Sequence, residues 1–122
     1  MNHIIHWVVI STTNIFRAKY FYSTLLDIEM NIIQVMCMRT AFFPHAANSQ
    51  SGGCLMEGPY YIPSDKGSII YLNVGKNLQQ ALKRVETAGG SVILPKTAIE
   101  KNRFMAHFLD TEGNKVGLYS KK

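Results

Sequence analysis

The chain offers two cysteines, four histidines and eight carboxylates for nucleophilic, acid–base or metal chemistry. Cys54 is the first of these to weigh. A cysteine becomes a nucleophile when a nearby base or cation lowers its pKa. Two histidines could do so: His107, in a strand-like run near the end, and His45, in the polar loop just before Cys54. No spacing ties either one to the thiol, so Cys54 reads first as a small buried hydrophobe. His107 reads as a hydrogen-bonded strand residue, and His3, His6 and His45 as surface or edge residues. Cys37 and Cys54 are too few for a disulfide framework and lack a metal-type spacing. Glu112 falls in the turn-rich run Asp110–Asn114, where its expected role is local geometry.

These groups must be positioned by a unit that occurs twice. Trp7-Val8-Val9-Ile10-Ser11-Thr12 runs into a helical stretch ending at Leu26, and Ile69-Ile70-Tyr71-Leu72-Asn73-Val74 runs into Leu78–Val85. Each strand–helix pair precedes about three short strand-like runs, so the chain repeats a βαβββ module. Module one covers about 1–58, a Pro/Gly linker about 59–67, and module two about 68–122, all within one domain.

In module one a strand over Ile4–Ser11 leads to a helix capped by Thr13. Ile15, Ala18, Phe21 or Tyr22, and Leu25 form its sheet-facing stripe. Strands follow over Glu29–Met38, Arg39–Phe43 and, after the loop Pro44–Gly53, Cys54–Glu57. In module two a strand over Ser68–Val74 precedes a helix over Asn77–Ala88, buried through Leu78, Ala81, Leu82 and Val85 and closed by Gly89-Gly90. Ser91–Ile99 contains Pro95, which places it at an edge or a bulge. Arg103–Leu109 and Lys115–Tyr119 form the last hairpin.

Composition narrows the function classes. Hydrophobic content of 47% and charged content of 17% describe a folded globular chain. No apolar run reaches the ~20 residues a bilayer span needs, and no signal peptide is legible at the start. The net charge of +5 is spread rather than clustered, and the aromatics sit in core-like periodic runs, which argues against nucleic-acid binding. A reducing cytoplasm is the expected location.

Taken together these segments resemble the vicinal oxygen chelate superfamily, which includes glyoxalase I, bleomycin-resistance proteins and extradiol dioxygenases. The residues carrying the resemblance are His6-Trp7 leading to Ser11, Arg17-Ala18 with Phe21-Tyr22, and Met38–Pro44. In the second half they are Ile70–Val74, Val85-Glu86 with Ala88-Gly89-Gly90, and Asp110–Asn114 leading to Gly117-Leu118. The resemblance implies an α+β fold in which two βαβββ modules form a curled mixed sheet, an open barrel or cleft with the helices outside. It also implies a homodimer.

Metal-dependent members hold one divalent ion with a His or Glu near the start of each module's first strand and a Glu near the start of each last strand. A Lewis acid there holds two substrate oxygens as negative charge develops. By register with the family motifs, those four positions fall on Trp7, Cys54, Ile69 and Gly117. Only Cys54 carries a donor, and one thiolate does not make a site. His6 cannot replace Trp7 without turning the strand over.

The expectation is therefore a cleft without the family's catalytic metal and without a resident cofactor. Alternation puts Trp7, Val9 and Ser11 on one face and Ile69, Tyr71 and Asn73 on another. With Cys54 and Gly117 these would line a site for a small apolar or aromatic molecule. Two alternatives stand: a metal-dependent lyase or dioxygenase with displaced ligands such as His6, His107 or Glu57, and a dimeric interaction module whose cleft is packed shut. The expected partners are a small molecule and a second copy of the chain, with neither nucleic acid nor membrane.

Overall fold

Which face of each strand meets a helix decides where any site can lie. The computed structural model describes residues 4–44, 52–75 and 77–122. Module one consists of β1 (Trp7–Thr12), α1 (Ile15–Leu26), β2 (Ile32–Val35), β3 (Met38–Phe42) and β4 (Gly52–Glu57). Module two consists of β5 (Tyr71–Asn73), α2 (Leu78–Thr87), β6 (Ser91–Glu100), β7 (Arg103–Leu109) and β8 (Lys115–Ser120). Each module makes a four-stranded mixed sheet, in the orders β1-β4-β3-β2 and β5-β8-β7-β6. In both, the first strand runs parallel to the last and forms the outer edge. No described helix is long and apolar enough to cross a membrane.

The expected helix stripes are the observed ones. Ile15, Ala18, Phe21, Tyr22 and Leu25 of α1 are buried, as are Leu78, Ala81, Leu82 and Val85 of α2. The N-cap of α1 is Asn14 rather than Thr13, with its side-chain oxygen accepting from the Arg17 N–H at 3.1 Å. Strand bounds differ at several places: β1 begins at Trp7 rather than Ile4, and β2 at Ile32 rather than Glu29. The turn between β2 and β3 falls on Met36 and Cys37, both with positive φ (54° and 66°), where no turn-forming residue marks it. β4 begins two residues early, at Gly52. β5 is only Tyr71–Asn73, so Ile69 lies before the strand. The proline in β6 acts as expected: β6 is an edge strand whose register with β7 shifts between Leu94 and Thr97, around Pro95.

Both helices pack into one core that spans the modules. The 110–114 hairpin turn of module two docks on module one. Tyr22 of α1, fully buried, donates from its hydroxyl to Asp110 Oδ2 at 2.6 Å. Asn114 Nδ2 donates to the Ser11 carbonyl at 2.8 Å and to Asp110 Oδ2 at 3.0 Å. Phe21 packs on Phe108, with centroids 5.5 Å apart. It also lies so close to Gly90 that a Cβ there would come within 2.7 Å of its ring.

Candidate ligand-binding face

Burial along β1 alternates. Ile10 and Thr12 are buried toward the helix layer, whereas Trp7 and Val9 are each 38% exposed on the other face. His6, one residue before the strand, does not take the place of Trp7. Cys54 and Met56 of β4 pair with Val9 and Ser11, and Phe42 of β3 pairs with Cys54, so these side chains share the face away from the helices. The Trp7 indole N–H donates to Cys54 Sγ at 3.4 Å, and its ring meets Phe42 edge-on at 5.9 Å.

The thiol is thereby committed. Cys54 is 2% exposed; burial raises its pKa, and the indole hydrogen bond only partly opposes that. His107 does not pair with Cys54, and His45 lies outside the described residues. A protonated, indole-capped thiol is poorly suited to nucleophilic attack.

The matching face of module two is built around Tyr71. In register, Tyr71 pairs with Gly117 of β8, and Gly117 pairs with His107 of β7. The Tyr71 hydroxyl shares a 2.6 Å hydrogen bond with His107 Nε2, and the Met105 sulfur lies at 3.5 Å. The phenol lies flat over Gly117: a Cβ at 117 would fall 2.5 Å from Tyr71 Cδ2. Asn73 follows on the same face but turns its side-chain oxygen back to the Gly75 N–H at 2.9 Å. Ile69 is half-buried beyond the strand end.

The donor set at the four positions expected from sequence to hold a metal does not fit a divalent ion. Trp7, Ile69 and Gly117 have no lone pair to offer, and the only donor is the thiol of Cys54, held protonated by burial. The displaced donors are not gathered either. Glu57 accepts from the Ile15 N–H at 3.0 Å and pairs with Arg39 at 3.2 Å, while His107 is engaged by Tyr71. Among the described residues, no three His, Cys, Asp or Glu side chains come together.

The role expected for Glu112 is corrected. It reaches out of the module-two turn to the start of α1, where it accepts from the N–H groups of Thr13 (2.9 Å) and Asn14 (2.8 Å) and pairs with Arg17 at 2.8 Å. Burial pushes its pKa up, but the hydrogen bonds from Arg17, the Asn14 N–H, Thr111 and the Thr13 N–H outweigh this and hold it at about 2. A carboxylate so far from the rest of α1 in sequence gives no local sign of this contact.

No family model matches the chain, and no curated relative matches it. Solved structures do. A glyoxalase I variant from Zea mays superimposes with a TM-score of 0.73 at 18% identity, over 94% of this chain and 45% of that one. A glyoxalase/bleomycin resistance protein from Albidiferax ferrireducens T118 gives 0.69 at 13% identity, over 97% and 98% of the two chains. The fosfomycin resistance protein FosX from Listeria monocytogenes gives 0.69 at 13%, over 98% and 92%. With the two repeated modules and their paired outer strands, these similarities establish that the chain has the fold of the vicinal oxygen chelate superfamily.

Proposed function

We propose that this protein binds a small apolar or aromatic molecule on the sheet faces turned away from the helices, without the family's catalytic metal. The observation that carries this is the content of the four ligand positions. They hold Trp7, Cys54, Ile69 and Gly117, and the ring of Tyr71 covers the last. Aromatic surface with a few polar groups (Ser11, the Tyr71 hydroxyl, His107) suits a flat ligand held by stacking and one or two hydrogen bonds.

A face packed shut fits poorly with Tyr71 at 45% exposure and Trp7 and Val9 at 38% each. Such exposed apolar surface on both modules supports a homodimer in which a second copy covers the faces and completes the site. The two thiols, one exposed and one buried with no disulfide between them, suit a reducing cytoplasm.

The test is metal content by elemental analysis, followed by melting with and without Zn, Ni, Mn or Fe(II), and then titration with small aromatic ligands. Trp7 is the only tryptophan, so a ligand on this face should change its fluorescence saturably. Stoichiometric metal held by three or more protein ligands would overturn the proposal.

A further inference from the structure

The helix side of the two outer strands carries a second opening. A cleft of about 830 Å³ runs between β1 with the end of α1 on one side and β5 with α2 on the other. Its volume falls within the ~300–1,000 Å³ range of small-molecule pockets. The walls are the helix-facing residues Val8 and Ile10 of β1, Leu72 of β5 and Val74 just beyond it, with Leu26 and Ile28 from the end of α1. Except for buried Ile10, these six are only partly buried hydrophobics packed against the core. Among the described residues the shared core is thus incompletely closed along the seam between the modules. Tyr71 and Asn73 of the module-two face also border this cleft, whereas Trp7, Cys54, His107 and Gly117 do not.

The polar lining comes from Tyr71 and Asn73 of β5, from Asn77 at the α2 N-cap, and from one side of α2 itself. Gln80 and Arg84 stand four residues apart, hence one above the other on the helix, and both border the cleft. Arg84 makes no ion pair among the described residues. An apolar trough with a guanidinium at its wall that makes no ion pair among the described residues is complementary to a molecule with an apolar body and a carboxylate head. Arginine's planar fork can hold both oxygens of that head, and the Gln80 amide can donate to it.

We propose that this seam binds a carboxylate-headed apolar molecule of the medium-chain fatty acid type, with Arg84 holding the head and the two modules enclosing the tail. A ligand that contacts both modules stabilises their docked state, so binding should raise the melting temperature.

The experiment uses the full chain and dodecanoate below its micellar concentration, with dodecan-1-ol and hexanoate as comparisons. Melting shifts and calorimetry are read alongside sedimentation. Dodecanoate should raise the melting temperature saturably and bind about tenfold or more tighter than either comparison, since both head and tail contribute. Arg84→Gln should weaken dodecanoate about tenfold and Arg84→Lys less, because a lysine keeps the charge but not the fork. Lys83→Gln, on the exposed side of the same helix turn, should leave binding unchanged.

Equal binding of dodecan-1-ol, or equal losses in the Arg84 and Lys83 variants, would overturn the proposal by showing unspecific detergent or charge effects. Arg84 also lies in the last turn of α2, where a cation complements the helix dipole. If that were its whole role, Arg84→Gln would lower the melting temperature of the free protein and leave the dodecanoate shift intact. A change of oligomeric state on adding dodecanoate would assign the cleft to a subunit interface and equally overturn the ligand reading.

Discussion

At position 117 one atom more or less decides what the face can hold. The Tyr71 ring occupies the space a side chain at 117 would need, so the ring can lie in this position only over a glycine. Gly117→Ala tests this. A strand alanine gains ~0.5–1 kcal/mol over glycine from backbone entropy, while overpacking costs ~1–3 kcal/mol. The exposed phenol can swing aside, which limits the cost. The expected outcome is a net stability change within about 1 kcal/mol together with loss of the Tyr71–His107 hydrogen bond. NMR of the His107 imidazole checks it: resonances unchanged from the parent protein would mean the ring does not depend on the glycine. Counting from family motifs led to positions 7, 54, 69 and 117, and alternation along β1 was legible: Trp7 and Val9 do share a face. The Tyr71–His107 contact was not, because it joins two strands whose register no local signal fixes.

At the scale of elements, α1 lacks any acidic residue in its first turn, yet two carboxylates meet its N-terminus. Glu57 arrives from β4 and Glu112 from the module-two hairpin, each accepting N–H groups that the helix leaves free. Glu112→Gln should destabilise the protein by about 2 kcal/mol near neutral pH. The pH dependence follows from a folded-state pKa lowered to about 2 from an ordinary value of 4.5. Such a group contributes stability above its unfolded pKa and loses it as pH falls through the folded one. The gap between parent and Glu112→Gln melting temperatures should therefore close as pH falls from about 4.5 to 2. A gap constant down to pH 2 would mean the carboxylate charge contributes nothing.

The β2–β3 turn is the other element whose residues conflict with its backbone. Met36 and Cys37 both hold positive φ, as a two-residue hairpin turn with that hand of twist demands, but Asn-Gly is the pair that adopts it without strain. That is why alternation alone ran β2 through to Met38. The double substitution Met36→Asn, Cys37→Gly should raise stability by about 1 kcal/mol, as relief of left-handed strain does, read as a higher denaturant midpoint at unchanged slope. The helices, by contrast, were legible to within a residue or two because their apolar spacing is strong and glycines close the second one.

At the scale of the whole molecule, a repeat in sequence does not say how its two copies meet. The stripe Ile15–Leu25 announced burial against its own sheet, but not that Phe21 and Tyr22 would also reach Phe108 and Asp110 of the other module. Tyr22, Asp110, Asn114 and the Ser11 carbonyl form a buried polar chain across that junction, where burial and the Asp110 charge hold the Tyr22 phenol well above its ordinary pKa. Removing only the phenol oxygen asks how firmly the modules are joined. Tyr22→Phe keeps the ring against Phe21 and Phe43 and removes one donor from Asp110. That carboxylate still accepts from the Glu112 and Asn114 N–H groups and from Asn114 Nδ2. The loss should be about 1.5–3 kcal/mol, the range for a hydrogen bond to a charged group, and unfolding should remain a single transition, since one core spans both modules. Two separated transitions in the variant would mean that the polar chain, and not the shared apolar core, is what makes the repeat fold as one unit.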